Sequence, residues 1–197
     1  MVNILSIDFD YFIDTSAEKR DKFFPDGGDE VPKKELQRMW EVAYENYPEI
    51  KGIDITKDYY YIKRFLETYD IKDKNIIVAE SHKEIKQLID KIFLEKTLNV
   101  INIDFHHDYY HYFCNGEEYN CGNWLRKLIE DRPDTNVKWI RREDSQTLSL
   151  EGEFPFESTT DIKLIDRYKF DYIFLCKSPE WTPPHLYKKF NELISHI

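Results

Sequence analysis

The 197-residue sequence has no long apolar segment, and its opening run M-V-N-I-L-S-I-D meets an aspartate too early for a signal peptide. Neither a membrane association nor a secretory leader is expected, and the chain reads as a cytoplasmic protein. Cysteine is sparse. Cys114, Cys121 and Cys176 have neither zinc-site nor secreted-framework spacing. They read as plain thiols in a reducing compartment, and none is a candidate nucleophile. Glycine is sparse too, and the adjacent pair Gly27–Gly28, in F-F-P-D-G-G-D-E-V-P, lacks the spacing of a phosphate-binding fingerprint. Cations are outnumbered, 28 Lys and Arg against 38 Asp and Glu, giving a net charge of −10. That balance argues against a nucleic-acid surface, which needs clustered cations. It favours a cationic small molecule or a basic peptide through the summed field; the plainer alternative is that acidity only maintains solubility. There is no internal repeat, linker or low-complexity tail. A hydrophobic content of 41% and an aromatic content of 16% support a folded chain, and its length fits a single domain over 1–197.

What is present is organised around Asn99–Asp108, N-V-I-N-I-D-F-H-H-D, an apolar run that ends in four ionisable side chains. Val100, Ile101 and Ile103 are β-branched and fit a parallel strand covered on both faces, the kind that carries function at its C-terminal end. Asp104, His106 and Asp108 follow at every second position. In a continuing strand, at roughly 3.3 Å per residue, the two aspartates would stand about 13 Å apart and share nothing. If the chain curls after Asp104, the three converge into hard oxygen donors plus one imidazole, a set suited to divalent metals. The alternative is a capped strand end with a solvated acidic turn.

Other strand ends carry similar groups. Ile4–Ile7 leads into S-I-D-F-D-Y-F, with Asp8 and Asp10 on one side of an extended segment and Phe9, Tyr11 and Phe12 read as buried. Asn75–Ala79 is a strand followed by E-S-H, which puts His82 at a strand-to-helix junction. Val137–Ile140 and Phe170–Cys176 are two further strands; after the latter, K-S-P-E-W-T-P-P places Glu180 on a proline-stiffened loop. Helices are expected over Lys33–Tyr47, from a Thr56 cap to about Tyr69, after His82 with Ile85, Leu88, Ile89 and Ile92 inward, over Trp124 to about Asp131, and at the C-terminus. Residues 144–160 show no periodicity and read as a surface excursion. In the aromatic segment after Asp108, His107, His111 and Asn123 are candidates to face a pocket, and the Tyr59–Tyr61 triplet is a candidate entrance lining. Strands alternating with helices argue for an α/β class, a three-layer α/β/α sandwich with a mainly parallel sheet and one functional rim.

The rim residues resemble the ligand set of the arginase-type ureohydrolase fold. A-E-S-H resembles its G-G-D-H, D-F-H-H-D its D-A-H-x-D, and S-I-D-F-D its S-x-D-x-D. I-D-F-D-Y-F together with S-P-E-W-T-P-P resembles a smaller family that includes the peptide arginases, which convert arginine side chains of precursor peptides to ornithine. The resemblance implies two Mn2+ ions, other divalent metals being alternatives. His82, Asp104, Asp108 and Asp8 would hold one and Asp104, His106, Asp8 and Asp10 the other. It further implies that Glu180 holds the guanidinium group, and C-G-N-W resembles the substrate-loop S-G-N, which brings in Asn123. Because the D-x-D strand leads this chain, an arginase/deacetylase-like sheet would have a permuted strand order. The implied partner is an arginine-containing precursor peptide, and relatives of this type commonly assemble, so a homo-oligomer is allowed.

Four clustered carboxylates need counter-charge, and two divalent cations with two neutral imidazoles balance them. The implied reaction is attack on the guanidinium carbon by metal-activated water, with Asp108 orienting its proton. His107, His111 and His185 are candidate donors to the leaving amine. Rivals are a metal-dependent phosphatase or another C–N hydrolase on the same rim, and a non-catalytic, metal-stabilised peptide-binding module.

Overall fold

The computed structural model describes residues 1–25, 31–70, 75–92, 94–110, 119–147 and 153–195. Six parallel strands, β1 (Val2–Asp8), β2 (Ile76–Ala79), β3 (Leu98–Ile103), β4 (Asn136–Ile140), β5 (Glu157–Thr159) and β6 (Tyr172–Cys176), form one sheet in the order β2-β6-β1-β3-β4-β5. Five of them lie where the hydrophobic runs predict strands. The sixth corrects the expectation of a surface excursion over 144–160, because Glu157–Thr159 pairs in parallel with β4. Its sequence, E-S-T, is short, polar and at the sheet edge, so no apolar alternation marks it.

Helices cover both faces. α1 (Ala17–Phe23), α2 (Lys33–Asn46), α3 (Lys57–Thr68) and α6 (Tyr187–Ile194) pack Phe23, Leu36, Trp40, Tyr59, Ile62 and Phe190 against Leu5, Ile7, Ile101, Ile103, Ile173 and Leu175. On the other face α4 (Ile85–Ile89) and α5 (Trp124–Asp131) pack Ile85, Leu88, Trp124, Leu125 and Leu128 against Ile4, Leu98, Val100, Phe174 and Cys176. The result is a three-layer α/β/α sandwich. The alternation of side chains along β1, β3 and β6 divides the two cores. Helix α1, which no long periodic pattern marks, is opened by Ser16, whose Oγ accepts from the Lys19 amide. Thr56 takes the N-cap position of α3 as read, but its hydroxyl makes no capping bond. No helix among the described residues is long and apolar enough to cross a membrane.

The order of connections opens a crevice at one place in the sheet. After β1 the chain leaves toward α1–α3 on one face, whereas after β3, its neighbour in the sheet, it leaves toward α5 on the other. The gap between the C-terminal ends of β1 and β3 is therefore a topological switch point, the place where open α/β sheets bind ligands. Both acidic segments sit on it.

Ile101 occupies the middle of β3 and is fully buried. Ile101→Ala is expected to cost about 2–5 kcal/mol through lost burial and the cavity it leaves, measured as a lowered denaturant midpoint.

Candidate metal centre

Along each central strand the face turned to α4 and α5 becomes polar toward the C-terminal end. Ile4 gives way to Ser6 and Asp8, Val100 to Asn102 and Asp104, and Phe174 to Cys176 and then Ser178. Ser6 and Asn102 are fully buried, and Asp8 and Asp104 nearly so. Alternation thus stacks acceptors in one column at the rim.

His82 reaches this column from the 3-10 turn His82–Glu84 that follows β2. Ser81 and Glu84 close a capping box around that turn, which fixes where the imidazole starts. The ring is then clamped between Trp124 and Phe174, with centroid distances of 4.7 and 5.5 Å and both contacts stacked. Its Nε2 lies 2.7 Å from Ser6 Oγ. Its Nδ1 lies 3.2 Å from each of Asp8 Oδ2, Asp104 Oδ2 and Asp108 Oδ2, yet is aligned for a hydrogen bond with none of them. Donor atoms bound at about 2.1 Å to one ion stand about 3.0 Å apart at right angles and about 3.4 Å apart at the tetrahedral angle. Three oxygens each 3.2 Å from one nitrogen make a set of four donors that fits the coordination shell of a single metal ion. With Nε2 donating its proton to Ser6, Nδ1 carries the lone pair that such a shell needs.

A second pocket adjoins the first through Asp104. Asp10, Asp104 and His106 bring ligand atoms within 4.8 Å of one another, and Asp10 Oδ2 stands 2.9 Å from His106 Nδ1. Asp104 Oδ1 accepts from the His106 amide at 2.8 Å, which turns the chain after β3. The curl continues to Asp108, whose φ of 49° folds it back toward His82. Ser178, at φ 44°, is the other non-glycine residue in the left-handed region among those described, and its hydroxyl donates to Asp8 Oδ2. Such conformations cost of order 1–3 kcal/mol each and are retained where the surroundings fix them. Both border the same cluster. Asp10 corrects one detail of the sequence reading: it lies not on an extended segment but in the 3-10 turn Phe9–Phe12, its amide donating to Asp8 Oδ1.

Crowding sets the electrostatics. Burial, then the charges of Asp10 and Asp104, push Asp8 up to about 6. Burial and Asp108 push Asp104 up to about 8. Burial opposes the charged form of both histidines, but the surrounding carboxylates hold His82 well above its usual range and Asp10 holds His106 at about 9. Asp10 moves the other way: burial works against its ionisation, but His106 and Arg20 keep it below the ordinary range. Protons held in this way are what a metal ion displaces.

No family model, curated protein or solved structure matches the chain. The buried Asp and His groups can hold a metal ion, and the donor chemistry, not ancestry, says so.

The structure brings six sequence-predicted ligands together: Asp8, His82, Asp104 and Asp108 at one pocket, Asp10, Asp104 and His106 at the other. Asp104 is common to both, while Asp8 groups with His82 and also with Cys176. Burial and Asp8 raise the Cys176 thiol well above its usual value. Glu180 is buried in the turn after β6, near enough to Cys176 and Tyr187 to raise both. Other candidates are placed differently. His107 packs among Tyr110, Trp139 and Phe154 and takes the Tyr109 amide on Nδ1; burial and His106 lower it to about 4. His185 is held between the Tyr44 hydroxyl at 2.6 Å and Ile53 O at 2.8 Å. Asn123 accepts the Asn120 amide on its side-chain oxygen and so builds the turn into α5. Tyr59 is a core residue bonded to Lys189 O, and Tyr61 bonds Asp166. His111, Cys114 and the Gly27–Gly28 pair lie outside the described residues.

Sequence reasoning missed the residues that orient the ligands. Trp124 Nε1 donates to Asp108 Oδ2. Ser6 and Ser178 bond His82 and Asp8, Asn102 Nδ2 reaches Asp104 Oδ2 at 3.4 Å, and Arg20 stands beside Asp10. The available signal was Ser6 and Asn102, polar residues inside otherwise apolar strands.

Ser6→Ala is expected to weaken divalent-metal binding about 10- to 100-fold, the usual cost of removing such an orienting partner, as read by isothermal titration. A pH dependence follows as well. Asp8, Asp104, His82 and His106 are all raised in the metal-free fold, so the stability they contribute is fully present below their unfolded values and is lost as pH rises through about 6, 8 and 9 for Asp8, Asp104 and His106. Asp10, being lowered, contributes above its unfolded value of 3.8 and opposes them only in acid. The rise in melting temperature on adding Mn2+ should therefore be larger at about pH 8.5 than at about pH 6 in scanning fluorimetry. An equal rise at both would count against this cluster as the binding site.

Proposed function

We propose that the chain is a binuclear manganese hydrolase that cleaves the guanidinium group of arginine side chains in a peptide, giving ornithine and urea. The observation that carries the reading is the pair of adjoining pockets sharing Asp104, one completed by the His82 donor set and the other by Asp10 and His106. Oxygen-rich donors with one imidazole per pocket suit manganese better than zinc by ligand type. The peptide arginase resemblance of I-D-F-D-Y-F and S-P-E-W-T-P-P supplies the substrate class.

Bound at these residues, divalent ions would supply acidification of water near neutral pH. The remaining work falls to the chain. Ser6 holds the His82 ring through Nε2, and Trp124 holds the Asp108 carboxylate through Oδ2, the oxygen that also faces His82 Nδ1. Asp108 takes a proton from the attacking water and returns it to the leaving side-chain nitrogen as the guanidinium C–N bond breaks. His107 Nδ1 accepts the Tyr109 amide, and His185 is held between Tyr44 and Ile53. Glu180 pairs with the guanidinium and aligns it, and its burial strengthens that attraction.

Urea release is the test, measured with manganese-loaded protein on arginine-containing peptides and on free arginine. Urea from peptide, absent in Asp8→Ala, is the expected result; no urea from either substrate, with two ions bound, would sink the reading. Glu180→Gln should retain both ions and lower turnover at least about 100-fold.

A further inference from the structure

The second pocket has a cation of its own. Arg20 projects from α1 and is 1% exposed. Its Nη2 donates to the backbone oxygens of Asp10 at 2.8 Å and Ile13 at 3.0 Å, and its Cζ lies 3.8 Å over the Phe105 ring. Its Nη1 stands 3.5 Å from Asp10 Oδ2, the same oxygen that faces His106, and neither Nη1 nor Nε has a hydrogen-bond partner. The fork on two carbonyls and the ring beneath it hold the guanidinium in place, and arginine keeps its charge across the working pH range. The neighbouring Arg142 differs: it lies 5.6 Å over the same ring but is paired with Asp144.

Set side by side, the pockets are not equivalent. The His82 pocket gathers three carboxylates and an imidazole. The other gathers two carboxylates, one of them shared, and an imidazole, with the Arg20 charge already beside Asp10. A fixed cation next to a ligand opposes an incoming cation, and it does so strongly where water is excluded.

We propose that Arg20 makes the two pockets unequal, so that the His82 pocket takes its divalent ion tightly and the Asp10–His106 pocket takes a second one weakly and last. The inference rests on the two-ion reading above and adds an order of filling to it. It also gives the Asp10 carboxylate a partner in metal-free protein, which lets the second ion come and go without leaving a buried charge unpaired.

Titration of metal-free protein with Mn2+, followed by calorimetry and by electron paramagnetic resonance, tests it. Wild type should bind the first ion at least about tenfold tighter than the second, with an isolated-ion spectrum at one equivalent and a coupled pair only in excess. Arg20→Gln, which removes the charge and keeps a polar side chain, should tighten the second ion at least about tenfold and leave the first within about twofold. Arg20→Lys, which keeps the charge, should titrate like wild type. Equal sites in wild type, or a second-ion affinity unchanged in Arg20→Gln, would overturn the proposal. Should Arg20→Gln fail to fold, the wild-type spectra decide: a coupled pair at substoichiometric manganese defeats the idea. Wild type binding no ion at all would instead defeat the metal-centre reading on which the proposal stands.

Discussion

Three carboxylate oxygens aimed at one imidazole nitrogen inside a protein are a constraint to which the rest of this structure answers. Asp8, Asp104 and Asp108 would repel one another and lose their hydration together, and no fold gathers such groups without a cation or protons to offset them. The neighbouring residues keep that arrangement from relaxing. Trp124 and Phe174 trap the His82 ring, Ser6 engages its Nε2, Ser178 and Trp124 hold the Asp8 and Asp108 oxygens that face Nδ1, and Trp139 Nε1 ties down the Asp104 carbonyl at 2.9 Å. The left-handed backbone at Asp108 and Ser178 is a local cost retained only because it aims these groups inward.

The sheet explains why the convergence happens between β1 and β3. Adjacent parallel strands whose chains exit to opposite faces leave an open crevice at their C-terminal ends, with no crossover loop to fill it. Each strand then delivers one carboxylate at its last alternating position and more from the turn just beyond, Asp10 from β1 and His106 and Asp108 from β3. β6 lies on the other side of β1 and contributes Ser178 and Glu180, and His82 crosses above β6 to join them.

Much of this was legible in the residues. Five strands could be read because fully covered strands are unbroken apolar runs, and the ligands could be read because each breaks such a run with a charge. The distance argument also foretold that Asp104 and Asp108 could meet only if the chain curled, and the φ of Asp108 is that curl. What escaped reading has physical reasons. β5 is polar and three residues long, so it has no alternation to detect. Ser6 and Trp124 act through hydrogen bonds to residues 76 and 16 positions away, and nothing local marks a serine or a tryptophan as an orienting group. The surroundings of His107 and His185, an aromatic box and the Tyr44 hydroxyl, could not be read either, because they come from residues distant in the chain. Arg20 escaped because its helix is short and nothing local ties it to Asp10.

Access to the centre is as one-sided as its charge. Among the metal-ligand candidates, His82, Asp8, Asp10, Asp104 and Asp108 have side chains no more than 7% exposed, while His106 retains 20%. His106 is thus the most exposed of these candidates and marks a side of approach, with the Trp181 ring 4.5 Å from it and Glu180 the preceding residue. Under the proposed hydrolysis, that approach suits a planar cation: an indole face attracts a guanidinium and a buried carboxylate next to it fixes its orientation. The same approach leads first to the pocket that Arg20 guards. On the proposed reading, a guanidinium substrate and a weakly held second ion would enter by the same side and meet the same fixed positive charge. Under that proposal Glu180 and Trp181 would have to offset Arg20 as well as recognise the substrate.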